Sequence, residues 1–279
     1  SGRELQDALL LAGAALVVWP LLPVEAVDPW GVLIPGKLWR FVVLVMSVGM
    51  LGHVALRAVG SRWGFPVAGF FAGFASSTAA IIGFGHRVRN TPSEMRPAVG
   101  AAMLANLAAL TLIAGVVGAG SPAFLTSLTL PFLACGVVLF AGGLMGLHAA
   151  SAVTLPAEPP TRSFRISHAL LLAVLVGALL LLSAWLQKEF GSAGALVAAC
   201  SVALAEIHAA TASLAQLQSM GALPLQTARL GMVAVLASAS IAKTIAAFVT
   251  GGVGYGVRVG LGLVLSTLAA AVVAVFTPG

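Results

Sequence analysis

The stretch ACSVALAEIHAATASL, residues 199–214, places a carboxylate, Glu206, and an imidazole, His208, among alanines and aliphatic residues. No other charged residue lies between Glu189 and Arg229. Lys243 is similarly isolated in ASASIAKTIAAFV. A charged group at the centre of a bilayer costs about 2.5–3.5 kcal/mol on insertion scales, so such groups default to function. Glu206 is read as binding a solute or proton and His208 as tuning it, since imidazole titrates nearest neutrality. Lys243 supplies the counter-charge. The alternative is a structural pair, with Glu206 and Lys243 neutralising each other across consecutive antiparallel helices.

Residues i and i+2 lie about 200° apart on a regular helix. Glu206 and His208 therefore share a cavity only if their helix is interrupted. Ser76 and Thr78 raise the same problem in FAGFASSTAAIIGF, residues 71–84. Small residues surround both places: Gly69, Gly73 and Ala75 in one, Ala203 and Ala205 in the other. Such residues permit local unwinding or close backbone approach. Two broken helices would gather Ser76, Ser77, Thr78, Glu206 and His208 around one spot, with Asn106 and Lys243 completing the candidate set. Unbroken helices would leave these residues serving separate interfaces.

The positioning elements follow from composition. Of 279 residues, 60% are hydrophobic and 8% charged, against about 25% charged in a soluble domain. The mean hydropathy is +1.08, so the outer solvent must be lipid. Nine runs have spanning length: Leu5–Leu22, Leu38–Ala58, Gly64–Phe84, Met95–Gly118, Ala123–Leu147, Ser167–Leu186, Gly191–Leu217, Pro224–Val249 and Gly256–Phe276. The expected fold is an all-α polytopic bundle. Residues 1–153 form a first transmembrane half of about five spans, 154–166 a polar, proline-rich linker, and 167–279 a second half of about four.

The net charge of +6 comes from bases that punctuate the apolar runs rather than form a face. This excludes nucleic acid and favours anionic lipid headgroups as partner. With the N-terminus outside, the inside loops hold more bases, including Arg87, Arg89 and Arg96. Cys135 and Cys200 read as core residues. His53 and His148 read as packing residues, His86 and His168 as loop residues, with no metal-ligand spacing among them. GGLMG (142–146) and GVRVG (256–260) have helix-packing spacing that also suits contact between copies of the chain. There is no G-x-S-x-G, phosphate loop or H-E-x-x-H, so neither an enzyme nor a cofactor is expected. Ser1–Gly2 reads as a cloning scar on a chain that extends further N-terminally.

The halves can be laid on each other. DALLLAGAALVVWPLL from residue 7 matches HALLLAVLVGALLLLS from 168, Ser76 meets Glu206, Thr78 meets His208, and Thr111 meets Lys243. Repeats of this kind place a transporter's site between the halves. The second span has no partner in this register, which leaves parallel and inverted repeats both open.

GHVALRAVGSRWGFPVAGFFAGFASSTAAIIGFGHRVR (52–89), with ALAEIHAAT and ASASIAKTIAAFVTGG, resembles the MgtC/SapB-type bacterial membrane proteins, in the C-terminal domain of unknown function that follows their MgtC-like region. That family's second half usually reads Gly-Leu-Ala-Asp-x-Asp-Ala, so Glu206 and His208 stand for its two aspartates, and Ser240 for an asparagine. The resemblance implies a bacterial inner-membrane protein associated with magnesium homeostasis. One carboxylate with a histidine suits Mg²⁺ less than two carboxylates do. The expected function is movement of a small ion or polar solute, coupled to protons through Glu206 and His208. The rivals are a non-transporting scaffold or regulator and a lipid-handling protein.

Overall fold

A computed structural model describes residues 9–59, 64–147 and 166–277, and among them every regular element is helical. They are α1 (Leu9–Leu21, with a π-helical stretch), α2 (Pro35–Val59), α3 (Gly64–Asn90), α4 (Met95–Gly120), α5 (Pro122–Leu147), α6 (Ile166–Phe190), α7 (Ser192–Ala203), α8 (Ile207–Ser219) and α9 (Leu225–Phe276). Five helical segments are long and apolar enough to cross a membrane: Ala68–Asn90, Pro92–Gly120, Pro122–Gly146, Ala173–Phe190 and Leu225–Phe276. The chain is thus a helical membrane protein by its described elements. The proline-rich linker falls almost wholly outside the described residues.

Helix α4 is the axis of the fold. It is apolar all round, as a helix surrounded by others must be, and most of it is buried. Glycines let its neighbours close on it. Gly100 meets the backbone at Gly143 and Gly146, while Gly142 and Gly143 meet Met103 and Leu104, making α4 and α5 an antiparallel hairpin. The GGLMG stripe is therefore used inside the chain. So is GVRVG: α9 turns back at Gly252 (φ 77°), setting Gly256 against Phe248 and Gly260 against Thr244. Ser240 and Thr267 hydrogen-bond across that second hairpin at 3.1 Å.

Two expected single spans prove to be folded-back pairs. Gly69 lies on the backbone of Ala101 and Gly73 on that of Ala105, so the first part of α3 runs parallel to α4. Ser76 then leaves helical geometry (φ −169°, ψ 110°), and the second part returns to meet the start of α4 through the short link at 91–94. Both ends of α3 thus lie level with the beginning of α4, and Ser76 lies about half-way along it. The α7–α8 pair repeats the arrangement against α9. Leu196, early in α7, touches Gly231, and Thr211, in α8, touches Met232. Ile207, at the turn between them, lies beside Lys243 and Ala239, further along α9. With 12 and 13 residues, these helices are about 18 and 20 Å long, short of the roughly 30 Å hydrocarbon layer.

The two hairpins enter from opposite ends of the bundle. Gly85, near the end of α3, packs on Thr250 and Gly251 at the α9 turn, and Met95 reaches Gly254. At the other end Gly120 packs on Ala215 of α8, and Ser121 donates to Gln218 at 2.5 Å. That second end also holds the loop before α2, where Gln216 donates to the carbonyl of Val32. In this loop Asp28 accepts from the N–H groups of Trp30 (2.9 Å) and Leu33 (2.5 Å). Burial alone would raise its carboxyl, but these backbone donors outweigh burial and hold it below the ordinary 3.8. A depressed native pKa stabilises above the unfolded value, and that stabilisation is lost as pH falls through the native one. Trp30 fluorescence should therefore report the loop loosening as pH drops below the ordinary aspartate range. Asp28→Asn should remove that transition.

Candidate functional site

Each fold-back is a helix start capped from within. At the first, Ser76 Oγ accepts from the Ala79 N–H at 3.2 Å, satisfying one of the donors that a new helix leaves open. At the second, Glu206 occupies extended backbone (φ −145°, ψ 101°) and its carboxylate accepts from the His208 N–H at 2.9 Å. The same oxygen, Oε1, lies 2.7 Å from His208 Nδ1. With Glu206 ionised, its carboxylate only accepts, and Nδ1 then carries the proton. Nε2 is buried and has no hydrogen-bond partner among the described residues. The interruption thus resolves the i, i+2 problem: because the helix starts anew at Ile207, Glu206 folds over the turn onto His208. Ser76→Ala removes the equivalent cap on α3 and should lower stability by about 1 kcal/mol. Thermal unfolding checks this, and Ser76→Asp should preserve the cap.

Lys243 does not pair with Glu206. Its Nζ donates to Asn106 Oδ1 at 2.8 Å, and no ion pair within 4.0 Å joins it to the carboxylate. Asn106 is orientated by its own amide nitrogen, which donates to the Ala102 carbonyl at 2.8 Å. This turns its oxygen towards the lysine. Glu206 and Lys243 remain within range of each other's charge. The physical reason for the separation is the fold-back, which commits the carboxylate to its own helix start.

A cavity of about 30 Å³ adjoins Lys243 and Asn106, with Ile207, Ser240, Ser266, Thr267 and Cys135 also on its wall. It holds roughly one or two water-sized bodies. The expected gathering is therefore partial. Glu206 and His208 form one pair, Lys243 and Asn106 another, and Ile207 links the second hairpin to the cavity. None of the side chains of α3 described, from Ala68 onward, reaches it. Ser77 is buried, Thr78 is exposed, and Ser76 caps its own helix. Ser266 and Thr267 were not singled out by sequence. Their adjacent hydroxyls in the otherwise apolar LVLSTLAAA were the available signal.

The family described as a domain of unknown function, DUF4010, matches residues 43–251. The chain belongs to this family. The DUF4010 range takes in both fold-backs, Asn106 and Lys243, and stops at the α9 turn. No curated protein and no solved structure matches the chain.

Proposed function

We propose that this DUF4010 protein carries a small ion or polar solute across a bacterial inner membrane, with proton coupling through Glu206 and His208. The observation that supports it most is the pair of fold-backs entering from opposite ends, each with a capped turn about half-way along the bundle. In a bilayer, non-helical backbone at that depth is tolerated where it is buried in protein or lines a cavity. Discontinuous helices in inverted repeats are the form in which secondary transporters build a site that two sides can reach.

The spacing supports two inverted halves. Ser76 and Glu206 stand 130 residues apart (206 − 76), Ser121 and Gly252 131 apart (252 − 121), and the starts of α2 and α6 131 apart (166 − 35). The contact of Gly85 with Thr250 has its counterpart in that of Ala215 with Gly120. In this register α6 pairs with α2 rather than with the first apolar run, and the second span gains the partner it lacked. The count becomes α2, α4, α5, α6 and two lengths of α9 as crossings, with α3 and α7–α8 re-entrant; α1 stands outside the repeat.

The bare Nε2 of His208 is a proton acceptor, and its opposite nitrogen already holds the carboxylate that would stabilise an imidazolium. Among the described residues, no group of three or more His, Cys, Asp or Glu side chains could hold a metal ion. This favours a cargo other than a caged dication, so the link to magnesium suggested by the MgtC/SapB resemblance would be indirect. The test is reconstitution of the full chain in liposomes loaded with a pH-sensitive dye, challenged in turn with chloride, nitrate, formate, potassium and magnesium salts. Proton movement driven by one of these, and lost in Glu206→Gln, is the expected result. The same dye response from empty liposomes for every salt would defeat the proposal.

A further inference from the structure

We propose that the cavity beside Lys243 binds one small monovalent anion, of halide or formate size, held by the Lys243 ammonium and the hydroxyls of Ser240 and Ser266. This deepens the transporter reading by naming the class of ligand, but its test measures binding without transport.

An ammonium has three N–H groups. Lys243 is 93% buried by its 7% exposure, and among the described residues Asn106 is the single hydrogen-bond acceptor it meets. Asn106 offers the lysine only its Oδ1, because its amide nitrogen is a donor and is turned to the Ala102 carbonyl. The nearest carboxylate is tied to His208, not to the lysine. Two N–H groups and most of a positive charge are thus left without a contact partner in a low-dielectric interior, beside an open space.

The walls of that space are built by sequence periodicity. Ser240 and Lys243 lie three residues apart on one face of α9. The turn at Gly252 brings Ser266 and Thr267 of the same helix opposite them. Ser266 Oγ and Thr267 Oγ1 both donate to the Leu263 carbonyl, at 2.8 and 2.9 Å, which leaves Ser240 Oγ as the donor in its 3.1 Å bond to Thr267. Their protons have these intrahelical alternatives, and a hydroxyl rotor can turn outward towards an incoming acceptor.

Size and charge then select the ligand. The roughly 30 Å³ available excludes sugars, dicarboxylates and phosphate esters. A cation meets the lysine charge with no carboxylate on the wall. Water satisfies the N–H groups but leaves the charge, whereas a monoanion answers both.

The experiment uses the purified full chain in detergent. Thermal unfolding is followed at fixed ionic strength as sodium gluconate, too bulky for the cavity, is replaced by sodium bromide or sodium formate. A saturable rise in the unfolding midpoint with bromide is expected, as for any ligand that binds only the folded state. It should vanish in Lys243→Met. Ser266→Ala, which removes no buried charge, keeps the test open if the lysine variant does not fold, and should weaken bromide binding about tenfold. Anomalous diffraction from bromide-grown crystals should place one ion within reach of Nζ. A midpoint indifferent to bromide, an equal response in wild type and Ser266→Ala, or a cavity holding only water would each overturn the proposal. Failure here leaves the proton-flux test unaffected, while tight bromide binding without flux would defeat the carrier reading alone.

Discussion

Glu206→Gln should cut proton-coupled flux by about a hundredfold, equivalent to about 2.7 kcal/mol in the barrier, while the protein stays folded. This side chain has two separable tasks. As a helix cap it needs only an acceptor for the His208 N–H, 2.9 Å away, and a glutamine oxygen serves. A cap contributes about 1 kcal/mol, so little stability is at risk. As the partner of His208 Nδ1, at 2.7 Å, it needs charge. Without that charge, a proton passing through His208 has no local counter-ion at this depth. Flux and unfolding should therefore part company in this variant. A scaffold predicts otherwise: Glu206→Gln combined with Lys243→Met would retain whatever the protein does, since the remaining groups could still pack. Equal flux from wild type and Glu206→Gln liposomes would remove the proton role.

How far these features were legible in the sequence follows from their physics. Composition and run length alone give a helical membrane protein, because hydrocarbon leaves few backbone solutions. The break at Glu206 was legible only as one side of a fork, since an acidic residue two positions from a histidine shares a cavity with it only if the helix is interrupted, while a regular helix would give each its own interface. What could not be read was the consequence of the break. A kinked span and a fold-back have the same composition, and only contacts such as Gly69 on Ala101 and Leu196 on Gly231 tell them apart. The partner of Lys243 was hidden for a related reason. Charge complementarity points to Glu206, but the fold-back binds that carboxylate to its own helix start, and an amide 137 residues away takes the lysine instead.

Those same contacts make the second large prediction. Gly73→Leu should destabilise the chain by about 3 kcal/mol or more and detach the first fold-back from α4. Gly73 lies directly on the backbone of Ala105, where even a single added carbon would overlap the carbonyl. Backbone cannot yield as a flexible side chain can, and overpacking a close interface costs about 1–3 kcal/mol for modest insertions. A leucine adds four carbons at a point where the helix axes are already in contact. Gly83, in the same helix, is the control: nothing lies within 4 Å of the position a Cβ would take. Gly83→Ala should leave stability unchanged or raise it by about 0.5–1 kcal/mol through better helix propensity. Thermal unfolding of the two variants separates local packing from any general effect of altering α3. If Gly73→Leu unfolds like wild type, α3 does not rest on α4 in this register, and the fold-back from which the opposed hairpins are inferred is absent.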